Sequence, residues 1–169
     1  VDFSAEMERT LQILDYAVLM VSGADGVQGH TRTLWKLLKR YGIPVFVFVN
    51  KMDQAGTDQE RLMEELKQQL DRCVNFHTDR SSVCFMENIA VCEEEVMEQY
   101  LETGTLEKEQ ICGLIRERKV FPCYFGSALK LDGLETLLDG LERYACPPKY
   151  PKEFGARIFK IGRDDQGNR

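Results

Sequence analysis

The sequence lacks the segments that would place a protein in or across a membrane. None of its apolar runs approaches the roughly 18 residues that a spanning helix needs. It opens Val1-Asp2-Phe3, without the basic start and apolar block of a secretory signal peptide. We therefore expect a cytoplasmic protein without membrane contacts. The first residue is also not methionine, and we expect the chain to be a piece of a longer protein.

A surplus of positive charge is missing as well. The formal net charge is −6, from 22 Lys and Arg against 28 Asp and Glu. Nucleic-acid-binding domains usually carry a basic surplus, because neutralising phosphates supplies much of their affinity. If the parent protein binds RNA, we expect most of those contacts to lie elsewhere.

The cysteines do not form a metal-binding pattern. Six are present, none in a C-x-x-C pair, and His30 and His77 stand apart from any close cysteine pair. This spacing disfavours zinc, and a chain without a secretion signal disfavours a disulfide framework. We expect reduced, mostly buried cysteines. They lie at positions 73, 84, 92, 112, 123 and 146.

Apolar runs without alternation predict strands buried on both faces, as in parallel sheets. Two such runs are residues 16–22 and 45–49, and a third predicted strand covers 120–125. Pro122 indicates an edge strand or an early strand position for the third, because proline donates no ladder hydrogen bond.

Helical periodicity separates these strands. A first helix is predicted over 2–14, capped by Ser4, and a second ends at Gly42 in the left-handed conformation. A third covers 58–73, the segment 74–118 is helical in pieces, and a last helix begins at Asp132-Gly133. Alternating helices and strands indicate an α/β domain with a parallel sheet. The predicted inward positions are Met7, Leu11, Leu14, Leu34, Leu37, Leu38, Tyr41, Leu62, Met63, Leu66, Leu70, Leu134, Leu137, Leu138 and Leu141.

A domain boundary is predicted at Pro147-Pro148. Residues 154–161 alternate in polarity, with Ala156 and Ile158 on one side, which predicts the first strand of a separate β domain. The predicted domains are thus 1–146, with a helical insert at about 74–118, and 147–169.

Four other positions receive plain structural interpretations. Trp35 is expected in the core and His77 on the surface. His30 is expected to cap a helix, and the acidic run 93–95 to be a solvated helix face.

Two polar motifs follow predicted strands, and ligands of open α/β sheets bind at the carboxyl ends of strands. Asn50-Lys51-Met52-Asp53 follows the second strand, and Gly126-Ser127-Ala128-Leu129 follows the third. Each motif is weak alone, but together, in this order and at successive strand ends, they are specific.

The pair suits guanine. The base presents N1–H and an exocyclic amine, and the Asp53 carboxylate can accept from both. Asn50 can bond N7 and brace the second loop, while the aliphatic stem of Lys51 lies along the base. The backbone N–H of Ala128 can donate to O6, and Ser127 can orient Asp53.

These motifs resemble the fourth and fifth nucleotide motifs of a GTPase. Residues 1–9 resemble the helix after the D-T-P-G-H motif of translation GTPases. Residues 24–31 resemble the A-x-x-G-V-Q-x-x-T pattern of elongation factor G, which they match in its G-V-Q-x-x-T part, Gly26 to Thr31. Segments 97–101 and 121–128 are most similar to the tetracycline-resistance ribosomal protection proteins. The resemblance implies part of a P-loop G domain, a three-layer α/β/α fold without its N-terminal strands, followed by the first strand of a β-barrel domain.

The resemblance also implies ligands and partners. These are GTP or GDP, the ribosome for the full-length parent, and Mg²⁺ held by residues outside this sequence. No G-x-x-x-x-G-K-[ST] occurs, and the switch-one threonine and catalytic histidine are not found, so we expect no hydrolysis by this chain alone. Two readings remain: part of a ribosome-dependent GTPase, or a truncated regulatory module that binds without hydrolysis.

The resemblance places the three predicted strands side by side, with missing strands on one side only. Residues 16–22 would then form a long apolar edge, and such edges pair with other chains. We expect dimerisation or strand exchange at this edge.

Overall fold

The computed structural model describes residues 4–78, 82–146, 151–156 and 158. Its sheet has four parallel strands: β1 Ala17–Ser22, β2 Val45–Asn50, β3 Cys73–Asn75 and β4 Phe121–Phe125. The strand order is β1-β2-β4-β3. The helices are α1 Ser4–Leu11, α2 Gly29–Arg40, α3 Gln59–Leu70, α4 Val83–Ala90, α5 Glu94–Thr103, α6 Lys108–Arg116 and α7 Leu134–Tyr144.

Two apolar cores lie on opposite faces of the sheet, which confirms the three-layer α/β/α fold. Along β2 the side chains alternate, because successive strand residues point to opposite faces. Val45, Val47 and Val49 pack with α1, α2 and α3 on one face. Phe46 and Phe48 pack with α4 to α7 on the other. All five are fully buried, as the unbroken apolar run predicts.

The strand β3 was not predicted. It is three residues long and pairs with β4, so β4 lies inside the sheet and the edge alternative for Pro122 is wrong. The early strand position is correct. Phe121 donates its N–H to Arg72 on the β3 side, so the proline nitrogen points toward β2. The β2–β4 ladder begins only at Cys123, one residue later.

The strand β1 lies at the edge of the sheet and is buried on one face, not on both as predicted. Leu19 and Val21 face the core of α1 to α3. Val18 and Met20 point to the other face, where their exposed fractions are 42% and 50%. The helices of that face cover the centre of the sheet and do not extend over its β1 edge.

The helix α1 is shorter than predicted. It ends at Leu11, which is buried, and the chain then turns, leaving Leu14 exposed. The proposed capping by Ser4 concerns a side chain that lies outside the described part of the structure, so it stays a prediction.

Two predictions about helix ends have opposite outcomes. Gly42 has φ of +66°, which confirms its left-handed conformation after α2. His30 does not cap α2, since the N-cap residue is Gln28 and it makes no side-chain cap hydrogen bond.

In α3 the predicted inward residues are all buried: Leu62, Met63, Leu66 and Leu70. Asp58 caps this helix by accepting a hydrogen bond from Arg61 N.

The remaining structural predictions are partly corrected. Trp35 is buried, as expected, but Leu138 on α7 is 62% exposed. His77 is half-buried rather than on the open surface. Glu93 pairs with Lys119 at 3.1 Å, and Glu94 and Glu95 occupy the first turn of α5, where the helix dipole favours acids.

All six cysteines are free thiols, but only Cys73, Cys112 and Cys123 are buried. Among the helices that the structure describes, none combines the length and apolar character needed to cross a bilayer.

The proposed strand over 154–161 falls mostly outside the described residues. Within the part that is described, residues 154–156 and 158 belong to no helix or strand, and Phe154 is fully exposed. The division at 146–147 stays a prediction.

Candidate functional site

The site begins where β2 ends, at Asn50. Its Oδ1 accepts hydrogen bonds from the backbone N–H of Lys51 and of Ala128, both at 2.8 Å. Its backbone carbonyl accepts from Gly23 N at 2.7 Å. Asn50 therefore ties together three loops that leave the carboxyl ends of β1, β2 and β4.

Two N–H donors fix the orientation of the Asn50 amide. Because both point at Oδ1, the Nδ2 group faces the other way, where it can donate to a ligand. The expectation that Asn50 braces the second loop is met by the bond to Ala128 N.

The loop after β2 is tight and internally bonded. Lys51 adopts a left-handed conformation, with φ of 65°, and its carbonyl accepts from Gln54 N at 3.1 Å. Met52 N donates to Gly126 O at 3.0 Å, which joins this loop to the one after β4. The Thr57 hydroxyl donates to Met52 O and Gln54 O, both at 2.9 Å. Sequence reasoning missed Thr57, because a threonine several residues after a strand carries no motif signal of its own.

The loop after β4 closes on itself. Ser127 and Asp132 exchange two backbone hydrogen bonds, each 3.0 Å long. A Cβ on Gly126 would lie 2.2 Å from Asp132 O, so only glycine fits there. Ser127 is buried, which is rare for a polar residue, and its Oγ accepts a hydrogen bond from Lys130 N at 3.4 Å.

The Asp53 carboxylate is the chemical centre of the arrangement. A hydrogen bond from the Ser127 hydroxyl is the main cause that lowers its pKa below the usual value for aspartate. Burial opposes this as the second-largest effect, while its own backbone N–H and the Lys130 ammonium lower the pKa further. Lys130 Nζ lies 3.4 Å from Asp53 Oδ2. The group is thus an ionised acceptor at neutral pH.

Of the six site residues predicted from the sequence, four lie close together and the other two are exposed. Asn50, Asp53, Ser127 and Ala128 come together at the two loops. Lys51 is exposed, and Leu129 is 90% exposed. Lys130 was missed, because its contact depends on how the loop after Ser127 folds back.

At the carboxyl ends of β2 and β4 the chain thus presents one acceptor, the Asp53 carboxylate, and one donor, the Asn50 side-chain amide. A ligand with two adjacent donors could bind the carboxylate, and a ligand acceptor beside them could bind the Asn50 amide. Among the described residues, no group of three or more His, Cys, Asp or Glu side chains could hold a metal ion.

Comparison with known proteins gives one family and one fold. The family described as "Elongation factor Tu GTP binding domain" matches residues 1–147. A solved protein from Thermus thermophilus, described as ttk003000868, is similar with a TM-score of 0.73 and 21% identity. The match covers 85% of this chain and 28% of that one, so at this identity it shows a shared fold over a minor part of the longer protein.

Proposed function

Because the chain belongs to the family of elongation factor Tu GTP binding domains, whose members are GTP hydrolases, we propose that it supplies the guanine-recognition part of a translation GTPase. The observation that supports this most directly is the ionised Asp53 carboxylate, oriented by Ser127 beside the bracing amide of Asn50.

In the proposed complex, Asp53 accepts from the N1–H and the exocyclic amine of guanine, and Asn50 Nδ2 donates to N7. Adenine lacks both donors on the matching edge, so the carboxylate discriminates against it. The N–H of Ala128 already donates to Asn50 Oδ1 at 2.8 Å. We propose that it bonds O6 as a shared, three-centre donor. The stem of exposed Lys51 lies along the base, and Leu129 borders it.

The base contacts are tested by comparing guanosine, inosine and adenosine in an NMR titration of this chain. Inosine lacks the exocyclic amine, so we expect guanosine to bind roughly tenfold more tightly, since one charge-assisted hydrogen bond is lost. Asp53→Ala should remove that preference, while Asp58→Ala, a change in the neighbouring helix cap, should retain it. Equal affinity of the chain for guanosine and adenosine would contradict the proposal.

We also propose that this chain alone does not hydrolyse GTP, since its 169 residues contain no phosphate-binding G-x-x-x-x-G-K-[ST] sequence. GTP and GDP are the expected ligands, and Mg²⁺ would be held by other parts of the parent. Magnesium-dependent phosphate release by the purified chain above background would contradict this.

For the parent protein we propose action on the ribosome in the cytoplasm, either in translocation or in protection against tetracycline. The similarity of segments 97–101 and 121–128 to ribosomal protection proteins is the reason to include the second. Expression of the complete open reading frame in a sensitive strain decides between them, because only a protection protein raises tetracycline tolerance. A truncated regulatory module is the alternative, and a start codon close to Val1 would favour it.

A second proposed contact is a homodimer through β1. The odd-numbered residues of this strand bond β2, as shown by Ala17 N on Pro44 O at 2.9 Å and Gly23 N on Asn50 O at 2.7 Å. The N–H groups of Val18 and Met20 therefore point to the outer edge, beside their exposed apolar side chains. An edge of this kind pairs readily with another strand.

A further inference from the structure

Lys130 forms an ion pair with Asp53, whose carboxylate is the group that would bind the base. Lys130 Nζ lies 3.4 Å from Asp53 Oδ2, and the two side chains are exposed to 62% and 23%. Lys130 is held in place by its backbone, whose N–H donates to Ser127 O at 3.1 Å and to Ser127 Oγ at 3.4 Å. Lys130 and Ser127, which both contact Asp53, therefore belong to the same loop, the one that follows β4.

A count of donors shows that the carboxylate is crowded. An ionised carboxyl has about four lone-pair positions. Three donors already face it: the Lys130 ammonium, 3.4 Å from Oδ2, and the Ser127 hydroxyl and Asp53 N–H, both of which lower the pKa of the carboxyl. A guanine edge brings two donors more, so all five cannot bond well together and one must leave.

Lys130 is the donor that costs least to displace. Ser127 is buried and fixed by two backbone bonds to Asp132, and the Asp53 N–H belongs to the loop itself. The lysine contact is longer than a good charged hydrogen bond, and its side chain is largely in water, where the ammonium regains hydration when it moves away.

We propose that Lys130 is a competitor for the base: its ammonium holds the Asp53 carboxylate when no base is bound and must swing aside for guanine to enter. This inference rests on the proposed guanine recognition by Asp53 and adds a selectivity role to a residue outside the two motifs. A base without two donors does not displace the lysine. The ion pair therefore lowers the affinity of such bases for the site.

The competition predicts an unusual response to salt. Guanosine carries no charge, so salt should not act on its binding directly. Added salt screens the exposed ion pair and frees the carboxylate, so guanosine affinity should rise between low and high ionic strength. Removal of the ammonium should raise affinity by roughly two- to fivefold at low salt, the range expected for an exposed pair.

The experiment titrates guanosine into the intact chain at low and at high NaCl, followed by NMR, for four proteins. They are the unaltered chain, Lys130→Met, Lys130→Arg and Lys36→Met. The last makes the same change in net charge on the exposed side of α2. Lys130→Met should bind more tightly and lose the salt response, whereas Lys130→Arg and Lys36→Met should keep the affinity and salt response of the unaltered chain.

Each outcome has a distinct meaning. Weaker guanosine binding by Lys130→Met would overturn the inference, because it would make the lysine a supporting contact. Unchanged affinity with an unchanged salt response would overturn it too, while leaving guanine recognition intact. Absence of guanosine binding in all four proteins would instead overturn the proposed function, and the competition with it.

Discussion

Single residues set the geometry of the loop that follows β4. Gly126 approaches Asp132 O so closely that any side chain would collide with it. Gly133 has φ of +72°, and a Cβ there would lie 2.2 Å from Phe125 O. Between these glycines, the paired backbone bonds of Ser127 and Asp132 close the loop. The Ser127 hydroxyl is thereby fixed beside Asp53 without depending on any ligand.

Ser127→Ala should raise the pKa of Asp53 toward its ordinary value, because the hydroxyl is the largest cause of the lowered pKa. A carboxyl with a lowered folded pKa stabilises the fold above its unfolded pKa, and that contribution is lost as the pH falls through the folded pKa. Titration of the Asp53 carboxyl carbon by NMR measures the change.

Thr57→Val is the matched control for that titration. It removes the other hydroxyl of the site, whose bonds go to Met52 O and Gln54 O. It should leave the pKa of Asp53 where it is. An equal rise in both variants would show that the loop, not the Ser127 hydroxyl, sets the pKa.

A second residue-scale prediction concerns Gly140 on α7. A Cβ there would lie 1.9 Å from Oη of Tyr124, a side chain that is fully buried and cannot move aside. Gly140→Ala should destabilise the fold by about 1–3 kcal/mol, despite the better helix propensity of alanine. Urea unfolding followed by circular dichroism measures the loss.

Gly113→Ala supplies the comparison in α6, because nothing lies within 4 Å of a Cβ at that glycine. It should stabilise the chain by up to about 1 kcal/mol through helix propensity alone. If both variants shifted the unfolding midpoint in the same direction, close packing against Tyr124 would not be the cause.

At the scale of elements, the apolar pattern of a helix defines a stripe, and its neighbours decide which part of the stripe is covered. In α7 the buried side chains are Leu137 and Tyr144, while Leu134 and Leu141 are half-buried. Leu138, which belongs to the same sequence pattern, faces solvent. The β1 strand shows the same effect, since its outer face extends beyond the helices of that layer.

Comparing Leu137→Ala with Leu138→Ala therefore tests whether stability depends on burial in the structure or on membership of the apolar sequence pattern. Leu137 is 7% exposed and Leu138 is 62% exposed. The first substitution should cost about 2–5 kcal/mol of unfolding free energy, and the second less than about 0.5 kcal/mol. Chemical denaturation gives both values. Equal costs would mean that Leu138 is covered in solution, for example by a partner chain.

The elements differ in how well the sequence predicted them. β2 was predicted closely, since an unbroken apolar run is a strong local signal. For α3 the inward residues were correct, but the helix ends at Leu70, three residues before the predicted end, and Cys73 belongs to β3. β3 was missed, because three residues are too few for a pattern and its pairing with β4 is not local. Of the site, the motif residues were foreseen, while Thr57 and Lys130 depend on loop folding.

At the scale of the whole molecule, the sheet has one long edge with apolar side chains, the outer side of β1. Met20→Lys should weaken the proposed dimer by roughly tenfold or more, because it places a charge on that edge. Sedimentation over a range of concentrations measures it. Leu101→Lys on α5, a residue 75% exposed, is the control and should leave association unchanged.

A monomeric chain at high concentration would count against the dimer. It would also show that the exposed fractions of Val18 and Met20 are tolerated without a partner.

The sequence by itself determined the fold class, which segments form the three main strands, and the two motifs, because these follow from local periodicity and from residue types at strand ends. The tertiary structure decided which faces are covered, where β3 pairs, and that Lys130 reaches the carboxylate of Asp53. Those features depend on contacts between segments distant along the chain or on how a loop folds back, and no short sequence window records either.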